Sequence, residues 1–100
     1  MAPMILAPMA VAAHAEEIGS TGRRVLLTGQ TGFKGGWLAM WLDRLGAETR
    51  AVALPPDTQP ALYHLARIDT LCDSRFADIN APLDLARAVA GFRPDLIIHM

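Results

Sequence analysis

The stretch from Leu26 to Trp37, LLTGQTGFKGGW, places Gly29, Gly32 and Gly35 at regular three-residue steps between an apolar run and an aromatic, helix-like segment. Few architectures use such a junction. The preceding residues, RRVLLT from Arg23, are two bases followed by apolar side chains without polar alternation, the pattern of a parallel strand buried on both faces. From Phe33 to Leu45 the residues Trp37, Leu38, Trp41, Leu42 and Leu45 recur at steps of three and four, and Gly46 follows as a stop. This predicts a helix with one adhesive side, and the same periodicity places Trp37 and Trp41 in packing contact with the sheet or a neighbouring helix.

The alternation continues downstream. ETRAVAL predicts a second strand ending at Pro55 and Pro56, TQPALYHLARI a short helical piece, and DSRFADI a third strand. APLDLARAVAGF predicts a helix with Pro82 suited to its first turn and Gly91 near its end, and PDLIIHM a fourth strand. Strands that alternate with helices through short connections build a parallel sheet from βαβ units. The expected fold is α/β, the N-terminal half of a doubly wound parallel sheet cut after its fourth strand, spanning residues 23–100.

In that setting each glycine has a distinct task. Gly29 lets the chain turn sharply, Gly32 leaves no Cβ where a diphosphate would approach the backbone, and Gly35 lets the helix pack close to the sheet. The unpaired N–H groups of the first helical turn, with roughly half a positive charge from the aligned peptides, then form a seat for a phosphate. A triphosphate-binding loop of the Gly-Lys-Ser/Thr kind is excluded, because Lys34 precedes Gly35 and Gly36 follows it, so neither lysine nor hydroxyl falls where that chemistry needs it.

Composition narrows the partners. Ten acids against nine bases give no field that would draw nucleic acid or an anionic membrane, and a 52% hydrophobic content supports a buried core. The lone Cys72 cannot form an internal disulfide and has no metal-ligand spacing around it, which fits a reducing, cytoplasmic setting and a role as a small core residue. No metal site is expected. The start, MAPMILAPMAVAAHAEE, has an apolar stretch and an Ala-x-Ala pattern like a secretory signal, but no Lys or Arg before the stretch. It reads as a targeting signal or as a loose extension from an early start codon. In both cases residues 1–22 are expected to be disordered and outside the fold.

The spacing Gly-x-x-Gly-x-x-Gly after Thr28 resembles the extended short-chain dehydrogenase/reductase group, the NAD-dependent epimerase/dehydratase family. Within it, TGQTGFKGGWLAMWLDRLGAE followed by ALPPDTQPALYHLARI is similar to the CDP-glucose 4,6-dehydratases, and ADINAPLDLARAVAGFRPDLIIHM continues the likeness. Lys34, where related epimerases usually carry an aliphatic residue, marks that subfamily. The resemblance implies a Rossmann domain in which Gly29, Gln30, Thr31, Gly32, Phe33, Lys34 and Gly35 form the cofactor loop, and Asp78 with Ile79 meet the adenine ring. Gln30 stands where a histidine is usual, at a position expected to face the loop surface. A purely structural role for Asp78 is an Asx turn before the third helix.

The acid that would hold the ribose hydroxyls of NAD about 20 residues beyond the loop is missing. The matching stretch reads Ala53, Leu54, Pro55, Pro56, with Asp57 late and no arginine to welcome a 2′-phosphate. The residues alone do not choose between NAD and NADP; the resemblance favours NAD. Lys34 either contacts the phosphates or stays solvated with its stem on apolar surface. His64 reads as a packing or surface residue, and His99, at the end of the last strand near where a ligand crevice would open, as a satisfied core residue.

The resemblance further implies a dehydratase that removes hydride from the sugar's C4, eliminates water across C5 and C6, and returns hydride to C6. Its substrate would be a nucleotide sugar and its complete form a homodimer. The acid/base tyrosine and its lysine would follow the fourth strand, and Tyr63, the only tyrosine, has no Lys four residues on. No catalytic residue is therefore assigned within these 100 residues, and the segment alone is expected to be inactive, with its last strand presenting one bare edge. Epimerases or reductases of the same fold, and noncatalytic NAD(P)-sensing domains, share the features read so far.

Overall fold

A computed structural model of the chain describes residues 4–6, 22–57 and 60–99. The elements run β1 (Met4–Leu6), β2 (Arg24–Thr28), α1 (Phe33–Arg44), β3 (Glu48–Ala53), α2 (Leu62–Leu65), a 3-10 turn (Ile68–Thr70), β4 (Asp73–Phe76), α3 (Pro82–Val89) and β5 (Leu96–His99). All strand pairs are parallel, in the order β1-β5-β2-β3-β4. Counted from Arg24, this is the 3-2-1-4 order of the first half of a Rossmann-type sheet.

Burial follows the pleat of the central strand. Val25 and Leu27 are fully buried on one face with Leu38, Leu42, Ile68 and Ile98, while Leu26 packs with Val52 and Ala88 on the other. Helices α1 and α2 thus cover one face and α3 the other. A strand buried on both sides cannot alternate polar residues, which is why RVLLT reads as a continuous apolar run.

Helix α1 departs from the expected packing. Its buried side is Gly35, Gly36, Leu38, Ala39 and Leu42, whereas Trp37 is 55% and Trp41 39% exposed. The predicted core placement of the two indoles is therefore corrected. The helix lies so close to the sheet that its inner stripe admits glycine and alanine beside two leucines, and bulky rings on the flank turn outward. Gly46, at φ +80°, ends the helix by letting its own N–H reach Asp43 O at 3.1 Å and that of Ala47 reach Leu42 O at 3.1 Å.

The second correction is at the start of the chain. Residues 4–6, expected outside the fold, form a strand on the free edge of β5, in the register Met4↔Leu96, Ile5↔Ile97 and Leu6↔Ile98. The backbone groups along an open parallel edge seek partners, and an apolar segment supplies them. The expected bare edge is thus covered. The rest of the predicted 1–22 extension lies outside the described residues, apart from Gly22, as does Met100.

Arg50 ties the sheet to α3. Its Nε donates to Asp73 Oδ2 at 2.9 Å, its Nη1 to Ala90 O at 2.7 Å, and its guanidinium lies 5.0 Å from the Phe92 ring centroid. The hydrogen bond from Arg75 and the Arg50 guanidinium hold the Asp73 carboxyl below the usual carboxylate range. Cys72, half-buried against the core, is pushed up to about 11, first by desolvation and then by the nearby Asp73, Asp69 and Asp43 carboxylates. A thiol raised from 9.0 to about 11 on folding favours the folded state fully below pH 9 and loses that contribution as pH climbs toward 11. Iodoacetamide labelling at pH 8 should accordingly be far slower in the native chain than in urea. Equal rates in the two states would show that the thiol is not desolvated.

Candidate functional site

The loop between β2 and α1 is held by backbone contacts at each glycine. Gly29 sits at φ +91°, a conformation that favours glycine, and its N–H donates to Val52 O at 3.1 Å, so the chain turns while still attached to β3. A Cβ at Gly35 would lie 1.8 Å from Gly29 O, inside the carbonyl. Only glycine lets the helix approach the strand end that closely. The expected roles of these two residues are thereby given a geometric cause.

Gly32 differs from both. Its backbone is ordinary, at φ −83° and ψ 170°, and a Cβ there would meet nothing nearer than Gly29 O at 3.6 Å, a normal contact. No contact among the described residues requires glycine at this position. It is also the N-cap of α1, yet it carries no side chain to accept the first-turn N–H groups, and the first turn contains no acidic residue. A serine or aspartate there would add a side-chain acceptor and roughly a few tenths of a kcal/mol over glycine. The helix start thus has no side-chain cap and no first-turn acid to meet its N–H groups.

A cavity of about 190 Å³ opens next to this loop, at the carboxyl ends of the strands. One wall is Thr28 and Gly29, another Val52, Ala53 and Leu54, and the third the loop after β4 with Asp78, Ile79 and Asn80. Asp78 and Ile79 therefore line the same cavity as Gly29. Asp78 is also the turn residue: its Oδ1 accepts the Asn80 N–H at 2.9 Å and its carbonyl that of Ala81 at 3.0 Å. The turn role is thus observed, and the Asx turn fixes Asp78 at the cavity wall.

The other loop residues separate. Gly32, Phe33 and Lys34 stand exposed at the helix start, with Phe33 edge-on to Trp37 at 6.3 Å. Thr31 Oγ1 donates to Leu54 O at 2.9 Å and so joins the glycine loop to the segment after β3, where the usual acid is missing. Gln30, expected at the loop surface, is 0% exposed. Its side chain runs inward beneath the loop because the turn at Gly29 directs the next residue toward β4. Among the described residues no basic side chain lines the cavity, and the one charged lining residue is Asp78.

Thr28, Ala53, Leu54 and Asn80 escaped assignment as site residues, although their positions at strand ends would have marked them. The same holds for His99, whose Nδ1 is 2.7 Å from Thr28 Oγ1 and whose ring is exposed rather than in the core. This pair links the ends of β5 and β2, where the strand order reverses. Among the described residues no cluster of three His, Cys, Asp or Glu could hold a metal ion, and no helix is long and apolar enough to cross a membrane. Tyr63 is buried on the α1 side of the sheet, away from the cavity.

No family model matches the chain. The chain is 40% identical over 79 residues, 79% of its length, to the CDP-glucose 4,6-dehydratase of Salmonella typhimurium, and it spans 22% of that relative's length. The likeness accompanies the parallel 3-2-1-4 sheet and the glycine loop described above.

The two glycines predict opposite stability outcomes. Gly35→Ala should cost upwards of about 2 kcal/mol in urea unfolding, because the added methyl overlaps a backbone carbonyl that cannot rotate aside. Gly32→Ala should cost less than about 1 kcal/mol. Equal losses would show that the close helix–strand approach is not what Gly35 provides.

Proposed function

We propose that residues 24–99 are the NAD-holding part of a nucleotide-sugar 4,6-dehydratase, with CDP-glucose as the substrate of the complete enzyme. The carrying observation is the open helix start at Gly32: a glycine that no contact among the described residues demands, at an N-cap without a capping side chain, hydrogen-bonded to Gly29, which lines the strand-end cavity. A diphosphate resting there would satisfy the first-turn N–H groups, with Gly32 free of a Cβ that would hold it away. Identity to a CDP-glucose 4,6-dehydratase supports the substrate class.

The residues present fit a dinucleotide. Gly29, Gly32 and Gly35 shape the seat, and Thr31 holds the seat against the wall at Leu54. The cavity walled by Leu54, Asp78 and Ile79 suits the adenine end, with apolar surface for the ring and a carboxylate to accept from its amino group. The Asp78 carboxylate on that cavity favours NAD over NADP, since it would repel a 2′-phosphate and no basic side chain among the described lining residues would offset it. Phe33 would cover the outer side of the diphosphate, and the exposed Lys34 would add a charge-assisted contact to it. Bound NAD would supply a temporary store for the sugar's hydride.

In this reading the residues that act on the sugar are not among these 100. Tyr63, the only tyrosine, is buried with its hydroxyl 2.7 Å from Ser74 Oγ, a place no sugar reaches. The segment by itself would then bind coenzyme without turning over substrate. A homodimeric, cytoplasmic complete enzyme is part of the same proposal.

Titration with NAD and with NADP tests it. NAD should bind more tightly, Gly32→Ala should weaken it by about tenfold or more with little change in melting temperature, and Lys34→Ala should flatten the salt dependence of binding. Unchanged NAD affinity in Gly32→Ala would overturn the assignment of the seat. An unchanged salt dependence in Lys34→Ala would assign that lysine to solvent.

A further inference from the structure

The glycine loop is pinned from beneath by a buried polar chain, and we infer that Gln30 is a positioning residue that preorganises the phosphate seat through Ser74 and Tyr63. The inference rests on the dinucleotide reading above but assigns a role to groups that reading does not use. Gln30 Nε2 donates to Ser74 Oγ at 3.2 Å and to Arg75 O at 3.3 Å, both on β4. Ser74 Oγ is in turn 2.7 Å from the hydroxyl of Tyr63 on α2. The chain therefore runs from the second residue of the loop, across an edge strand, to a separate helix.

Both ends of the chain are shielded from water, and Ser74 between them is half-buried. Gln30 is 0% and Tyr63 5% exposed, and the Tyr63 ring packs 5.7 Å from that of Phe76. In such surroundings the hydrogen bonds are strong and the cost of leaving one unmade is high. Gln30 Oε1 has no partner among the described residues. A leucine of similar bulk would fill this space without that cost, so apolar packing does not account for an amide here. What the amide provides is direction: two donor bonds to β4 hold a residue that lies directly after Gly29.

That hold matters because the neighbouring residues cannot supply it. Between Gly29 and Gly36 the glycines contribute no side-chain anchors, and among the described residues the other side-chain hydrogen bond of the loop is Thr31 to Leu54 O on the opposite wall. Gln30 and Thr31 therefore grip the loop from two sides, toward β4 and toward the end of β3. A phosphate seat made of backbone N–H groups binds well only if those groups already point at one place, since ordering them on binding would weaken affinity.

The test uses the whole chain, NAD as the probe, and amide hydrogen exchange of residues 29–36 without ligand. Gln30→Leu should speed exchange in that loop and weaken NAD by about tenfold, and Tyr63→Phe should act in the same direction more weakly. Gln30→His, which keeps an N–H able to reach β4, should restore most of the affinity. Leu42→Ala, a core change remote from the loop, should lower the melting temperature and leave NAD affinity within about twofold.

Normal loop protection or normal NAD affinity in Gln30→Leu would overturn the proposal. So would a loss of affinity in Leu42→Ala equal to that in Gln30→Leu. If the unmodified chain binds no NAD, the dinucleotide reading fails. The exchange arm then decides the loop-anchoring role alone, with faster exchange in Gln30→Leu supporting it and unchanged exchange overturning it.

Discussion

The structure depends on a backbone-to-backbone contact. Helix α1 meets the end of β2 so closely that a single methyl at Gly35 would occupy the space of the Gly29 carbonyl. This approach sets the height of the helix above the sheet. It explains why the inner stripe of α1 is made of Gly35, Gly36 and Ala39 beside Leu38 and Leu42, and why the two tryptophans face outward. It also sets the first helical turn just beyond the end of β2, where the partial positive charge of a helix start lies.

Around that contact the molecule uses two kinds of support. The apolar kind is general: Val25, Leu27 and Ile98 on one face, and Leu26 with Val52 on the other, are buried with no demand for direction. The polar kind is specific. Arg50 links β3 to Asp73 and to the end of α3, Thr31 links the glycine loop to Leu54, and Gln30 reaches through Ser74 to Tyr63. Each of these crosses between elements that are far apart in the chain. Hydrophobic burial brings those elements together, and the directed bonds decide how the loop and strand ends face one another.

The 3-2-1-4 arrangement brings two loops to one mouth. Asp78 and Ile79 lie nearly fifty residues beyond Gly29, yet they close the same cavity because β3 separates their strand from β2 and all carboxyl ends point the same way. The resemblance in sequence made that pairing legible before any coordinates, and the spacing of the glycines made the loop legible. Gln30 was not legible in the same way. A polar residue between glycines reads as exposed, and only the φ of Gly29 and the position of β4 turn it inward.

The sequence by itself determined the order of strands and helices, the parallel sheet, the glycine turn and the stop at Gly46. Each follows from local preference and from periodicity within a dozen residues. Tertiary structure alone decided the outward turn of Trp37 and Trp41, the burial of Gln30, the Thr28–His99 link and the pairing of Met4–Leu6 with β5. The physical reason is range. These features depend on how near separate segments come, and that distance is set by the packing of the sheet against its helices, which no short window of residues contains.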